Sequence, residues 1–345
     1  MGYGGATVKP QKPSRRSAAG KHHYLEKERM NTTHAKKQRQ PARLGQSSLR
    51  THLRQHYILY LMLIPGLTFF LLFCYKPMGG ILMAFENYSY KKGLFGSPWI
   101  GLKNFQRFFS YKHCWRIIRN TVLLNLTNTF WTMPIAIIFA LLVNELREGP
   151  LKKFYTTVSY LPHFVSVVVV VSIFFQFLIP SGIINTVIEK LGGKGIAFFS
   201  DAGWFRTIYN SISVWKETGW NAVIYIAALA GVDQQLYEAA KIDGASRIQQ
   251  HLHVSLPGIA PTIAITLIMH IGRLMSSGTD MILLLYNEKI YETADVIGTY
   301  VYRVGLHDAQ YGYSTAVNLF SSVIGMILLI LANRFSKKVA DTSMF

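Results

Sequence analysis

The sequence predicts an all-α, polytopic membrane protein with six transmembrane helices. Half of its 345 residues are apolar and only 15% are charged, whereas a soluble protein usually carries about 25% charged residues. The apolar residues also come in long uncharged blocks rather than in short alternating runs, which is typical of helices in a bilayer. Much of the positive excess behind the formal net charge of +19 lies before residue 56.

Each span is predicted from a stretch without Lys, Arg, Asp or Glu, because a spanning helix needs about 20 mainly apolar residues. The six stretches lie between Arg54 and Lys76, Arg119 and Glu145, Lys153 and Glu189, Glu217 and Asp233, Arg247 and Arg273, and Asp308 and Arg334. The third stretch has a Val-rich core from Val165 to Phe177, and the fifth helix is expected to start at about Pro257.

The chain divides into a tail and a membrane domain. Residues 1–55 are basic and show no apolar periodicity, which predicts a disordered cytoplasmic tail. Residues 56–340 form the predicted six-helix domain. An even number of spans places both termini on one side, and the basic residues after the sixth span favour the cytoplasm. The connection at 233–257 then faces the cytoplasm as well.

This connection has the features of a short helix held by two turns. Leu236 to Ile242 is a run of helix-forming residues, and Gly244 can adopt the left-handed conformation that ends a helix. Asp243 can accept hydrogen bonds from the next turn. A second helical stretch follows, and Pro257 suits the first turn of the fifth span.

The ordered string in this connection resembles the EAA loop of ABC-importer permeases. The matching positions are Glu238, Ala239, Ala240, Gly244, Val254, Leu256 and Pro257. Val254 stands where Ile is more usual, and Asp243 with Ala245 fits the Asp-Gly-Ala form found in sugar importers. The stretches Ser159–Ser166 and Tyr291–Ile297 are similar to importers of complex carbohydrates. From about residue 55 onward, the chain looks closest to the LplB-like polysaccharide permeases.

The resemblance implies the ABC type I importer permease fold (MetI-like) in a bacterial cell membrane, surrounded by lipid. It implies a coupling helix in which Glu238 meets a basic group of an ATPase, Ala239 and Ala240 allow close approach, and Asp243 and Gly244 hold the turn. The implied partners are a dimeric cytoplasmic ABC ATPase, a second homologous permease in a heterodimer, and an extracellular solute-binding lipoprotein. ATP and Mg²⁺ would bind to the ATPase, so this chain is expected to bind no cofactor and to be non-catalytic.

A solute path is predicted from aromatic and hydrogen-bonding side chains within the spans, because sugars are bound by such groups. The candidates are Asn125, Asn128 and Trp131 in the second span, Trp220, Asn221 and Tyr225 in the fourth, and His270 and Arg273 in the fifth. Packing or interfacial anchoring is the alternative role for each of them.

Other function classes fit the sequence less well. Nucleic-acid binding by the tail is disfavoured because no stacking aromatics alternate with its charges. The nearest match to a phosphate loop, Gly96 to Gly101, is followed by Leu102 where Lys is required. No His-Glu-x-x-His metal motif is present. Two alternatives stay open: an ABC permease for a non-sugar solute, and an ion-coupled secondary transporter, for which the spans offer few carboxylates.

Overall fold

The computed structural model describes residues 56–276 and 278–340, and these residues are mainly helical. The tail predicted at residues 1–55 lies outside the described residues. Within them the only β pairing is one isolated bridge, between Glu86 and Trp99. The predicted all-α fold class is confirmed.

The helices of six or more residues, together with the four-residue α9, are numbered in chain order. They are α1 Tyr57–Phe69, α2 Lys103–Phe109, α3 Cys114–Glu145, α4 Pro150–Phe164, α5 Val167–Leu178, α6 Ile183–Lys190, α7 Phe205–Ala230, α8 Gln234–Ile242, α9 Arg247–Gln250, α10 Leu256–Gly272, α11 Thr279–Leu285, α12 Ile297–Tyr302 and α13 Tyr311–Ala340. Short α-helical turns lie at Lys76–Met78, Gly93–Gly96 and Tyr291–Ala294, 3₁₀ turns at Gly79–Phe85 and Glu288–Ile290, and π turns at Phe70–Tyr75, His251–Ser255 and Arg303–His307.

Five helical stretches among the described residues are long and apolar enough to cross a bilayer. They are Tyr57–Phe85, Cys114–Glu145, Val167–Lys190, Arg247–Gly272 and Tyr311–Lys338. They coincide with five of the six predicted spans. The remaining span is α7, which has 26 residues and is therefore about 39 Å long, enough for a hydrocarbon core of about 30 Å. It differs from the other five because charged side chains lie within it.

Two predicted span boundaries are wrong. The stretch Lys153–Glu189 is not one helix: it breaks at Val165, which is extended, and again at Ile179. Ile179 directly precedes Pro180, and a proline disfavours the helical conformation in the residue before it. The fourth helix does not start after Glu217 but at Phe205, and the charged residues in its middle, Lys216 and Glu217, have polar partners on α4.

The chain divides into two compact units, residues 1–77 and 78–345. In the first unit, α1 continues into the π turn at Phe70–Tyr75, and none of these helical residues is buried. A helix that is apolar on all sides and exposed on all sides suits a lipid environment.

In the second unit, α3 and α7 pack along each other and α10 joins them in a shared apolar core. Glycines set the closest helix contacts. A Cβ on Gly219 of α7 would lie 2.0 Å from the carbonyl oxygen of Ser159 on α4, and one on Gly325 of α13 would lie 2.9 Å from that of Gly272 on α10. Small residues of this kind let helices approach closely in membranes.

The second unit has two polar ends. At the first, which we call the loop end, Arg247 Nη1 lies 2.6 Å from Glu145 Oε2 at the C-terminus of α3. At the opposite end, the far end, Asn120 near the start of α3 donates to the carbonyl oxygen of Asp295 at 3.1 Å and accepts from Arg206 of α7 at 3.3 Å. The connection at 233–257 thus belongs to the loop end.

Candidate functional site

The first half of the 233–257 connection forms the helix α8 and ends as the sequence predicts. Asp233 Oδ1 accepts a hydrogen bond from the backbone N–H of Gln235 at 2.9 Å, which caps the helix N-terminus. Gly244 has a φ of +77°, a left-handed conformation that costs glycine little. The chain can therefore reverse directly after Ile242.

The second half is a continuous part of the fifth span rather than a separate helix. Ser246 and Gln249 form a reciprocal capping box at the start of α9. The helix then passes through the π turn His251–Ser255 into α10 without a break. Pro257 therefore does not open an isolated helix, although it lies in the first turn of α10. A π turn leaves room for a residue that has no N–H to donate.

The predicted coupling residues are largely accessible. Glu238, Ala239, Asp243, Gly244 and Pro257 are exposed, and Ala240, Ala245 and Leu256 are half-buried. Two apolar side chains beside them are also exposed: Ile242 at 87% and Ile248 at 71%. Large apolar side chains this exposed at a polar end of the bundle are typical of a docking surface.

A chain of polar contacts connects α8 to the end of α3. The hydroxyl groups of Tyr237 on α8 and Ser255 lie 2.9 Å apart. Ser255 Oγ is 3.3 Å from Nδ1 of His251, and Nε2 of His251 is 3.4 Å from Glu145 Oε1. Ser255 is fully buried. These side chains therefore join α8 to the end of α3 and to the start of α10.

Five of the eight predicted solute-path residues meet around one cavity of about 260 Å³ between α3, α7 and α10. The lining consists of Met133, Trp220, Asn221, Ile224, Tyr225, Thr266, Met269, His270 and Arg273. Tyr225 is buried, and its hydroxyl lies 2.9 Å from Thr266 Oγ1. An aromatic wall with a few polar groups is the usual composition of a small-ligand site.

The other three predicted residues lie elsewhere. Asn125 Nδ2 donates to the carbonyl oxygens of Thr121 at 2.8 Å and Leu274 at 3.0 Å, so it ties α3 to the chain after α10. Asn128 Nδ2 is buried without a partner among the described residues. Trp131 is half exposed and meets Phe130 edge-on. None of the three lines the cavity.

A second cavity, of about 490 Å³, shares Met269 and Arg273 with the first. Apart from Arg273, its polar lining comes from residues that the sequence analysis did not select: Ser276, Thr279, Asn318, Ser321 and Ser322. Arg273 is exposed between the two cavities and forms no ion pair with a carboxylate among residues 56–276 and 278–340. It is therefore available to an acidic ligand.

The wall at Trp220 is supported by a charged cluster that sequence reasoning missed. The imidazole of His163 on α4 stacks on the indole of Trp220. His163 Nδ1 lies 2.7 Å from Glu217 Oε2, and Lys216 Nζ is 3.7 Å from the other carboxylate oxygen. His163 belongs to the stretch Ser159–Ser166, and Glu217 marks only a span boundary. The sequence therefore gives no signal that these two side chains are in contact.

Comparison with known proteins decides the family. Residues 116–341 match the family of binding-protein-dependent transport system inner membrane components, and this match covers more than half of the chain. The chain belongs to this family. It is accordingly a multi-pass membrane protein of the transport permease class.

Two curated permeases of Bacillus subtilis (strain 168) are similar to this permease over most of both chains. The polygalacturonan/rhamnogalacturonan transport system permease protein YteP is 44% identical over 292 residues, which cover 84% of this chain and 91% of YteP. Protein LplB is 44% identical over 288 residues, which cover 83% of this chain and 91% of LplB. The resemblance to LplB-like permeases is thus confirmed.

A solved structure has the same fold. It is a chain of a bacterial alginate ABC transporter in complex with an alginate pentasaccharide-bound periplasmic protein. That chain has a TM-score of 0.78 and 37% identity, with coverage of 86% of this permease and 99% of that chain. A second structure, of a bacterial ABC transporter involved in the import of the acidic polysaccharide alginate, has a TM-score of 0.78 and 38% identity. The likeness confirms the predicted fold class.

Proposed function

We propose that this protein is a permease subunit of an ATP-driven ABC importer, and that its solute is an acidic oligosaccharide. The family match and the two relatives support the importer class. Polygalacturonan and alginate, in the names of relatives and of matched structures, both consist of uronate units. This common feature supports a solute with carboxylates.

The loop end is the docking site for a cytoplasmic ATPase in this proposal. The loop presents the exposed acidic side chains Glu238 and Asp243 beside the exposed apolar residues Ile242 and Ile248. An apolar centre with a charged rim is the usual anatomy of a protein interface. Basic residues after the last span, including Lys337 and Lys338, favour a cytoplasmic loop end as well.

The two cavities that share Arg273 are the candidate solute path. Their lining combines aromatic faces with hydroxyl, amide and guanidinium groups. The single observation that carries the acidic solute is the guanidinium of Arg273 between them, which forms no ion pair in the part of the chain that the structure describes. A guanidinium binds a carboxylate through two parallel hydrogen bonds. In this proposal a second permease subunit and an extracellular binding protein complete the importer. The binding protein delivers the solute to the far end.

The experiment is reconstitution of the complete importer in proteoliposomes, with uptake of an oligogalacturonate compared with uptake of its carboxyl-reduced, neutral form. We expect the wild-type importer to take up the acidic form in an ATP-dependent manner. Arg273→Gln should lower uptake of the acidic form about tenfold, since a hydrogen bond to a charged group contributes roughly 1.5 kcal/mol or more. A wild-type importer that transports neither oligosaccharide contradicts the proposal.

Arg247→Gln is the matched control. It also replaces one arginine, but its partner is Glu145 at the loop end, and an exposed pair of this kind contributes little. It should leave the ratio of acidic to neutral uptake unchanged.

A further inference from the structure

A third cavity lies at the far end, apart from the two that share Arg273. It has a volume of about 520 Å³, within the range of about 300–1,000 Å³ that is usual for small-ligand sites. Its walls come from α2, α12, the π turn Arg303–His307 and the start of α13. The groups that matter most are Arg107, Tyr111, Tyr300, Arg303, Asp308 and Gln310.

Two guanidinium groups line the cavity, and they differ in whether they form an ion pair. Arg303 Nη2 lies 2.9 Å from Asp295 Oδ2, whereas its Nη1 is buried without a partner among the described residues. Arg107 lies over the ring of Tyr313 at 4.3 Å and has no ion pair among the residues that the structure describes. Arg107 is therefore the cation that is free to meet an anionic group.

The cavity also offers acceptors. Gln310 Oε1 is buried without a partner among the described residues. Asp308 contributes a carboxylate that is paired with the exposed His307 at 2.8 Å. A ligand that satisfies the whole lining must therefore both accept and donate hydrogen bonds. A simple anion, or an aspartate or glutamate side chain, accepts only.

Aromatic rings complete the cavity. Tyr111 stacks on Tyr300 with ring centroids 5.3 Å apart, and the hydroxyl of Tyr300 lies 2.9 Å from that of Tyr313. Burial raises the pKa of Tyr300, which keeps this hydroxyl protonated. Burial lowers the pKa of Arg303, but its hydrogen bond and charge interaction with Asp295 more than offset this, so the net pKa is raised and the group stays charged.

We propose that this far-end cavity binds one uronate unit of an oligosaccharide, as a receiving site separate from the Arg273 cavities. The uronate carboxylate would meet Arg107, and its hydroxyl groups would donate to Gln310 and Asp308. A uronate carries a carboxylate and hydroxyl groups on one ring. It therefore matches both the cationic group of the lining and its hydrogen-bond acceptors. This inference rests on the proposed function, since it assigns a further site for the same solute.

The test uses the complete importer in proteoliposomes and the ratio of oligogalacturonate uptake to uptake of its carboxyl-reduced form. Arg107→Gln should lower this ratio about tenfold by removing the group that meets the carboxylate. Gln310→Glu should lower it as well, because it adds a negative charge to the cavity that holds the acid, with almost no change in size. Lys103→Gln, which removes a charge from the same helix outside the cavity, should leave the ratio unchanged.

The outcomes separate this inference from the proposed function. If the wild-type importer transports the oligogalacturonate and both cavity variants keep its ratio, the far-end site is wrong and the proposed function stands. If both variants lower uptake of the two forms equally, the cavity serves assembly or contact with another protein rather than a sugar acid, and the inference is again wrong. If the wild type transports neither form, both proposals fall together.

Discussion

The imidazole of His163 stacks on the indole of Trp220, with ring centroids 4.4 Å apart and planes only 4° from parallel. Nδ1 of the same imidazole lies 2.7 Å from Oε2 of Glu217. Glu217 and Trp220 both belong to α7, whereas His163 comes from α4. The histidine thus connects two helices and fixes the orientation of an aromatic ring that lines the candidate solute path.

His163→Ala is expected to lower solute uptake about tenfold while leaving assembled protein in the membrane. The substitution removes the stacking partner of Trp220. It also leaves the Glu217 carboxylate, inside a spanning helix, with Lys216 at 3.7 Å but without the closer contact to His163, and losing a partner is costly for a charge in this environment. Uptake by reconstituted importer, normalised to the amount of assembled complex, measures this effect.

Glu217→Gln is the matched variant for this cluster. It keeps an acceptor oxygen for the His163 N–H and removes only the charge, so it should retain more transport than His163→Ala. Equal uptake by His163→Ala and the wild type contradicts a positioning role for this residue.

Gly219→Ala is expected to destabilise the protein. The added Cβ would lie 2.0 Å from the carbonyl oxygen of Ser159, and that oxygen belongs to the backbone of α4, so the helices must separate. Overpacking of this kind typically costs about 1–3 kcal/mol. Thermal denaturation of the purified protein in mild detergent should show a clearly lower midpoint.

Gly231→Ala is the control for this prediction. Its Cβ would lie 3.4 Å from the nearest atom, a carbonyl oxygen of the same helix end, and its backbone is in the ordinary right-handed region. Its denaturation midpoint should stay close to that of the wild type. A similar loss of stability in both variants would mean that glycine itself, rather than the Ser159 contact, is responsible.

The sequence predicts this structure well where a feature depends on local residue type, and poorly where polar residues pair with partners far away in the sequence. The uncharged blocks locate five spans, and the conformation of Gly244 follows from residue type alone. The sequence places the start of the fourth span too late, because Glu217 bounds its uncharged stretch and Lys216 directly precedes it. Their partner His163 lies more than fifty residues away in sequence, and pairing at such a distance leaves no local signal.

The same limit applies to the candidate site. Trp220, Asn221 and Tyr225 lie on one helix near His270 and Arg273, so residue type and span position sufficed to select the five residues that meet. Asn125 is an asparagine like Asn221, but it has a structural role, since its side chain donates hydrogen bonds to two backbone carbonyl oxygens. The Ser and Asn residues of α13 were missed because their span reads simply as an apolar block.

Glu238→Lys is expected to leave the protein in the membrane and to abolish both uptake and solute-stimulated ATP hydrolysis. Glu238 is exposed on α8 and forms no ion pair among residues 56–276 and 278–340, so the reversal should act on docking of the ATPase rather than on folding. Like charges placed opposite each other at an interface oppose association. Co-purification of the ATPase with the tagged permease measures the docking directly.

Glu148→Lys is the corresponding control. Glu148 is exposed and pairs only with Lys152 one turn away, a surface contact that contributes little to stability. It reverses the same charge at the loop end, outside α8. Normal uptake by Glu148→Lys together with normal uptake by Glu238→Lys would remove the basis for the coupling-helix assignment.

Tyr237→Phe is expected to weaken the connection between ATP hydrolysis and transport without preventing ATPase docking. The variant removes only the hydroxyl that meets Ser255 at 2.9 Å, so the exposed face of α8 is unchanged. Uptake per ATP hydrolysed should therefore fall. Tyr155→Phe, which removes a hydroxyl from a half-exposed tyrosine of α4, should leave this ratio as it is.

A double-mutant cycle identifies whether the Tyr237–Ser255 contact carries the effect. Tyr237→Phe and Ser255→Ala each break the same hydrogen bond, so the double variant should lose about as much coupling as either single variant, because residues in direct contact act non-additively. If the two losses simply add, the residues act independently, and the path from α8 through His251 to Glu145 does not transmit the movement of the loop.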